Sequence, residues 1–377
     1  MRVAVLGGEA RDLVNFRGHL ISELVKAGHT VYGIAPGGSE VIRADLERLG
    51  ATLVPLGMDR TGLNPFRDLR SCCQLWALFR KLRLDMLLAY EIKAIVFGTL
   101  AARLAGVPKR FAMITGRGST LQGDAATRKE KAVRTIVKTM YRIALRRSSG
   151  VLFQNGDDLA LFAQERMLPA AKPRTIINGS GVDIGHFAVS PLPEGPVTFL
   201  FVGRLLRDKG IQEFVTASRL LAGRGDPARF RILGPLDSNP KAIQAGEVAN
   251  WVREGVVEYL GEAKDVRPAM AGAHVLVLPS YAEGTPRAVL EAMSMGRAIV
   301  TTDAPGCRET VQNGINGLMV PVRDSGALAE AMHSLCGDPD RLARFGAAGR
   351  RIVEARYDVR LVTADILGFM RSQGSPV

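Results

Sequence analysis

Cysteine and histidine are scarce, with four and five in 377 residues. Cys72 and Cys73 are adjacent while Cys307 and Cys336 stand alone, so there is neither a metal-ligand spacing nor a disulfide framework, and reduced thiols in a cytoplasmic compartment are expected. Aromatic residues make up only 6% of the chain, which leaves few platforms for stacking nucleic-acid bases. A helix-turn-helix glycine turn, an aromatic RNA-binding box and a zinc spacing are missing too, so a nucleic-acid-binding protein ranks well below an enzyme. No run approaches the roughly 18 apolar residues of a membrane span, and the apolar start over residues 1–6 is too short for a secretory signal. What is present is ordinary globular composition, 47% hydrophobic and 23% charged, in a chain long enough to favour two domains.

One quantity is abnormal, the formal charge of +13. Residues 1–190 hold 28 Lys/Arg against 16 Asp/Glu, and residues 191–377 hold 22 against 21, so the excess is 12 in the first half and 1 in the second. Such asymmetry predicts that the first half faces something polyanionic, whether lipid, substrate or nucleic acid.

Short apolar runs alternate with helical stretches throughout, the habit of parallel sheets covered by helices. Strands are predicted at 2–6, 29–35, 51–56, 85–89, 110–114 and 150–153, and again at 197–202, 230–233, 256–260, 274–278, 298–301 and 317–320. Residues 187–196, with Pro191, Pro193 and Pro196, break the rhythm and are the expected linker. Two Rossmann-like α/β domains facing across a cleft follow, assigned to 1–188 and 189–356, with a helix in 357–377 crossing back to the first domain. Ligands in such folds lie where strands end and helices begin.

Two loops of the second half carry chemistry. In Gly203-Arg204-Leu205-Leu206-Arg207-Asp208-Lys209-Gly210, Arg204 leaves a strand and Lys209 opens a helix, so two cations and a helix N-terminus can meet an anion such as a diphosphate. Two solvated charges on a turn are the plainer alternative. In Glu283-Gly284-Thr285-Pro286-Arg287-Ala288-Val289-Leu290-Glu291, Pro286 suits a first helical turn, which would leave the amides of 284–287 as donors for an anion or hydroxyls. Glu291, bracketed by apolar residues, is placed to accept two ribose hydroxyls and would be costly to bury without a partner.

With these residues in view, the chain resembles the retaining GT-B glycosyltransferases of family 4, whose E-x7-E hallmark corresponds to Glu283 and Glu291. The resemblance covers essentially the whole chain, including Thr302-Asp303-Ala304-Pro305-Gly306-Cys307-Arg308-Glu309. Asn15-Phe16-Arg17-Gly18, Gly62-Leu63-Asn64-Pro65, Phe153-Gln154-Asn155 and Asn178-Gly179-Ser180-Gly181-Val182-Asp183 further resemble a bacterial subgroup. That subgroup adds hexoses or N-acetylhexosamines to undecaprenyl-diphosphate-linked sugars. The resemblance implies that Arg204 and Lys209 hold the diphosphate of a UDP-sugar and stabilise the leaving group, with Glu283 as the third catalytic residue. It implies that Glu291 binds the ribose, that Glu283 with Gly284, Thr285 and Pro286 binds the donor hexose, with N-acetylgalactosamine the first choice, and that Gly234, Pro235 and the 261–266 loop with Val266 frame the base. Gly7 and Gly8 would let backbone approach the diphosphate, while Arg17, Gly18, Lys93, Thr115 and Ser119 would face the acceptor. Thr115 stands where many relatives carry His beside the donor sugar, and a hydroxyl cannot carry charge near neutrality.

Transfer with retention is implied, by same-face attack with the departing phosphate taking the acceptor proton. No paired carboxylates are spaced for double displacement, and neither a metal nor a cofactor is required on this scheme. The only Asp-x-Asp, Asp338-Pro339-Asp340, is predicted to cap a helix. A nicotinamide dehydrogenase fails for want of G-x-G-x-x-G after the first strand. A UDP-sugar 2-epimerase on the same fold stays open and would act without an acceptor.

Between Thr127 and Ser149 lie eight Lys/Arg and one Glu. On a helical wheel Arg128, Lys131, Arg134, Lys138, Arg142 and Arg146 share one sector, opposite Val133, Ile136, Val137, Met140 and Ala144. The cationic face is expected either to be solvated or to meet anionic lipid, which would make the protein peripheral on the inner face of the cytoplasmic membrane.

Overall fold

The computed structural model describes residues 1–57, 65–121, 127–225, 227–237, 242–375 and 377. Gly62, Leu63 and Asn64 of the resemblance motif lie outside the described residues. The chain divides into two compact units, one formed by Met1–Ser180 with Arg360–Val377 and the other by Gly181–Val359.

The first unit is built on a parallel sheet of β1 (Arg2–Leu6), β2 (Thr30–Ala35), β3 (Thr52–Pro55), β4 (Met86–Tyr90), β5 (Lys109–Ile114), β6 (Gly150–Phe153) and β7 (Arg174–Ile176), in the order β3-β2-β1-β4-β5-β6-β7. Alternation assigns its faces. Val3, Val5, Met86, Leu88, Phe111 and Met113 enter one core, while Ala4, Leu6, Leu87, Ala89, Ala112 and Ile114 enter the other. Strand β7 was not foreseen, because a three-residue run carries too little periodicity.

The second unit holds β8 (Val197–Val202), β9 (Ala228–Leu233), β10 (Glu258–Tyr259), β11 (Val275–Leu278), β12 (Ala298–Thr302) and β13 (Gly317–Val320), parallel in the order β10-β9-β8-β11-β12-β13. In each sheet the strand order reverses once, between β1 and β4 and between β8 and β11. The carboxyl ends of those strands are where a ligand is expected.

The boundaries differ from the 188/189 division. Residues 181–188 belong to the second unit, since Phe187 is buried in its core and Val182 donates to the Tyr357 carbonyl at 2.8 Å. The proline-rich stretch is no free linker either. Prolines leave carbonyls without matching amide donors, and the buried Arg297 takes them up, donating to Pro191 O at 2.9 Å as well as to Ser190 and to Ala273 O. The last helix, Val359–Ser372, buries Val362, Ile366, Leu367 and Met370 in the first unit's core. Phe369 meets Phe111 edge to face at 6.2 Å, and His19 Nδ1 lies 3.0 Å from Thr363 Oγ1.

Candidate functional site

At the β8/β11 reversal, glycine lets loops from four strands meet. Gly210, with φ of 72°, opens the Ile211–Arg224 helix, and a Cβ there would stand 2.1 Å from Pro279 O. Only glycine permits that approach. It draws Lys209 against the end of β11, where Lys209 Nζ contacts Glu283 Oε1 at 2.5 Å and Ser280 Oγ donates to the same oxygen at 2.7 Å. From the other side Gly306 packs under the Glu283 carbonyl, and Glu283 N donates to Pro305 O at 2.8 Å. Two of the three predicted catalytic residues are thus in direct contact.

Arg204, the third, is half exposed and donates to Asp237 Oδ2 at 3.0 Å. Buried Leu205 and Leu206 hold its loop down, and Leu205 N donates to Pro235 O. Gly234 lies against Gly203, where a Cβ would sit 1.9 Å from the Gly203 carbonyl oxygen, and it bonds to Gly261 O and the Tyr259 hydroxyl. The expected base-framing segments therefore join the diphosphate loop. Val266 is the N-cap of the Arg267–Ala271 helix, with its side chain packed on the core.

Pro286 is the N-cap of the Arg287–Ser294 helix rather than a residue of its first turn, with no side chain capping it, and Gly284 and Thr285 form the turn before it. The helix dipole therefore presents its positive end beside Glu283. Glu291 lies one turn inside, only 8% exposed, and forms an ion pair with Arg287, whose Nε is 2.7 Å away. Burial raises its pKa while Arg287 opposes the rise. Arg287 is thus the partner that a buried Glu291 demanded.

The sequence reading did not single out Tyr281 or Glu213, and it named Cys307 only as an isolated cysteine and as part of the 302–309 loop. Tyr281 donates its hydroxyl to Glu213 Oε1 at 2.7 Å, and burial, then the Glu213 bond, pushes its pKa up to about 12. Cys307 is fully buried beneath the site, its thiol pushed up to about 12 chiefly by burial. Both rest on contacts between loops far apart in sequence, for which no local signal exists. Asp338 caps the Pro339–Ile352 helix, accepting from Arg341 N at 2.9 Å.

In the first unit the expected site residues gather around the β1/β4 reversal and the strand that follows it. The space beside Gly7 is taken by Tyr90, whose hydroxyl oxygen would lie 2.2 Å from a Cβ at that position. The missing side chain at Gly7 thus makes room for a tyrosine from β4; Gly8 follows, buried, in the same turn. Arg17 is 3% exposed, lies 4.8 Å from the Tyr90 ring centroid and donates to Ser180 Oγ at 3.0 Å, so it is no surface residue. Gly18 starts the Gly18–Lys26 helix against Leu49, a packing position. Lys93 is tied to buried Asp68 at 2.7 Å. Thr115 follows β5, ahead of Gly116 and Gly118 with φ of 134° and 64°. Ser119 sits in the short Gly118–Leu121 helix. Arg117, between those glycines, is the stronger feature, since its Nε reaches the fully buried Asp158 at 2.5 Å. Burial raises the Asp158 pKa against Arg117 and Asn155. Glu91, directly after β4, holds a left-handed φ of 68° that non-glycine residues seldom adopt.

The basic helix spans Arg128–Arg147 behind a Thr127–Glu130 capping box. Its buried side chains are Val137, Tyr141, Ala144 and Leu145, so the inward face is turned about 70° toward the cations relative to the wheel drawn from sequence. Tyr141 and Leu145, bulkier than the alanine and valine beside them, decide that rotation. Lys138 consequently pairs with Glu165 at 2.7 Å, and Arg142 donates to Arg166 O and Glu165 O. Arg134 is half-buried, Arg128 and Lys131 stay exposed, and Ile136, expected inside, is 50% exposed.

Residues 14–179 match the glycosyl transferase 4-like domain, and residues 196–338 match the glycosyl transferases group 1 family. Over 352 residues, 90% of both chains, the sequence is 28% identical to the N,N'-diacetylbacillosaminyl-diphospho-undecaprenol alpha-1,3-N-acetylgalactosaminyltransferase of Campylobacter jejuni. It is 25% identical over 296 residues, 73% of this chain and 72% of the other, to the Escherichia coli UDP-Gal:alpha-D-GlcNAc-diphosphoundecaprenol alpha-1,3-galactosyltransferase. Among solved structures, sucrose-phosphate synthase from Thermosynechococcus elongatus superposes with TM-score 0.80 at 18% identity, covering 99% of each chain. Anabaena HepE in complex with UDP-glucose gives 0.77 at 18% identity, covering 99% of this chain and 100% of that one.

Proposed function

The chain belongs to the family 4 glycosyltransferases of GT-B architecture, and on that premise we propose that it moves a hexose or N-acetylhexosamine, N-acetylgalactosamine first, from a UDP-sugar to a polyprenyl-diphosphate-linked sugar. The observation that carries the reading is the contact of Lys209 and Ser280 with Glu283 at the β8/β11 reversal, beside the N-terminus of the Arg287–Ser294 helix. Lys209, Arg204 and the helix dipole neutralise the charge that develops on departing UDP. Glu283 accepts from donor hydroxyls, held in position by Ser280, and Glu291 accepts from the ribose hydroxyls. The acceptor hydroxyl forms its bond to the anomeric carbon on the face from which the phosphate leaves, and its proton passes to a phosphate oxygen, so configuration is retained. On this scheme positive charge comes from side chains and helix ends, and no metal is needed.

Support for the acceptor comes from the two relatives whose names specify undecaprenyl-diphosphate-linked sugars, and support for UDP-sugars from the HepE complex. Among the described residues no helix is long and apolar enough to cross a membrane. A lipid-linked acceptor then requires peripheral contact, which the proposal places on the inner face of the cytoplasmic membrane through the exposed edge of the Arg128–Arg147 helix. A thermal-shift panel of UDP- and GDP-sugars followed by transfer assays with short polyprenyl-diphosphate sugars tests the reading. Transfer with a UDP-sugar supports it; turnover of the UDP-sugar alone to its 2-epimer, without transfer, overturns it.

A further inference from the structure

The Pro65–Leu82 helix presents an unusual outer face. Inward it buries Asp68, Ser71, Leu75 and Phe79. Outward, Phe66 is 87% exposed, Leu69 64% and Trp76 38%, and with exposed Cys73 they form a stripe at spacings of three and four residues. Exposing a phenylalanine, a leucine and a tryptophan on one stripe forgoes burial worth about 1.5 to 3 kcal/mol for each large apolar side chain. Arg70, Lys81 and Arg67 run along one flank of the stripe, and Arg80 lies within it, 5.5 Å from the centroid of the Trp76 ring. The helix has one acid, Asp68, which is buried and bound to Lys93. Its outer face is therefore an apolar stripe that contains one cation, is bordered by three more along one flank and has no negative group of its own.

We propose that this face lies in the surface of an anionic phospholipid bilayer, with Phe66, Leu69 and Trp76 inserted among the acyl chains and Arg67, Arg70, Arg80 and Lys81 at the headgroup phosphates. Charge complementarity selects this occupant over a second copy. A twofold interface through the same stripe would bury Arg80 against its own copy and bring further cations near it, with no acid of either outer face to answer them. The neighbourhood agrees, because the Thr99–Leu104 helix packs against both the Pro65–Leu82 and Arg128–Arg147 helices. It exposes Leu104 at 71%, and the basic helix exposes Ile136 and Ile143. The principal lipid contact is thus the 66–81 stripe, and the basic helix contributes at its side. The inference rests on the reading of a lipid-linked acceptor for its purpose, but its measurement does not.

The chain has two tryptophans, and Trp251 is buried in the second unit. In the full-length Trp251→Phe protein, emission therefore reports Trp76. Vesicles of phosphatidylglycerol and phosphatidylethanolamine should shift that emission to the blue, and lipids brominated on the acyl chains should quench it, while pure phosphatidylcholine does neither comparably. Phe66→Ser with Leu69→Ser should weaken vesicle affinity about tenfold or more and leave transfer to a water-soluble acceptor unchanged. Unchanged Trp76 emission on anionic vesicles overturns the proposal. So does binding that survives the double substitution, or a dimer seen by light scattering that the same substitutions dissolve. If transfer to the soluble acceptor fails in the parent chain, the catalytic reading falls and the vesicle result stands by itself.

Discussion

At Gly306 a methyl group would lie 2.3 Å from the Glu283 carbonyl oxygen, and φ there is 81°. Gly306→Ala must therefore displace either its own loop or the turn carrying Glu283, and urea denaturation is expected to show a loss of about 2 kcal/mol or more. Glu283→Gln and Lys209→Ala act differently. Their pair is partly exposed, and Ser280 can still donate to a glutamine oxygen, so the thermal midpoint should move by only a few degrees. On the proposed scheme transfer should fall by roughly a hundredfold or more in each, for Lys209→Ala because leaving-group charge loses its cation and for Glu283→Gln because the donor hydroxyls lose their charged acceptor. Near-wild-type turnover in either variant removes the assignment. The pair shows how far the sequence reaches at this scale. The types and positions of Lys209 and Glu283 were readable, but their contact was not, because 74 residues separate them and no spacing rule spans loops after different strands.

Elements were more legible than contacts. Strands β1, β6, β8 and β13 fall where apolar runs place them, since each is buried on at least one face and the pattern of burial is the pattern of sequence. The Arg128–Arg147 helix was equally clear in extent, yet its inward direction was not, because Tyr141 and Leu145 outweigh the smaller side chains in packing. The proline-rich segment misled more deeply. It reads as a linker, but Arg297 and its neighbours fasten it to the second unit. His274 belongs to the same fastening, with Nδ1 accepting from Thr198 N at 3.0 Å, and burial lowers its pKa below 6.5. The unfolded chain takes up that proton first, so this contribution to stability is present above pH 6.5 and declines as pH falls through the lowered value. Urea melts at pH 7.5 and 5.5 should show the loss, with a slope under about 1.4 kcal/mol per pH unit, and His274→Gln should abolish that part of it.

For the whole molecule, the two units are joined by two chain crossings, at Ser180/Gly181 and Val359/Arg360. The crossings are neighbours, because Val182 N donates to Tyr357 O at 2.8 Å and Val359 N donates to Val182 O at 3.0 Å. Gly181, with φ of 71° and a Cβ position 2.6 Å from Val359 Cα, allows the chains to pass. Ligand that binds only the folded second unit stabilises it by mass action. UDP at a hundred times its dissociation constant should add about 2.7 kcal/mol, read as a rise in thermal midpoint that Lys209→Ala diminishes. An equal rise in that variant would place UDP elsewhere.

Composition and periodicity alone determined that this chain makes two parallel α/β units and that its charge excess lies in the first half, while its motifs pointed to two loops of the second as the candidate site. These follow from local rules of burial, helix starts and turn residues, which act over a few positions. Only the tertiary structure decided that Tyr90 occupies the space beside Gly7, that Arg17 is buried, that Arg287 answers Glu291, and that Phe66, Leu69 and Trp76 are left in solvent. Each depends on which strands become neighbours and how far their loops approach, and that arrangement is settled by packing across the sheet rather than by spacing along the chain.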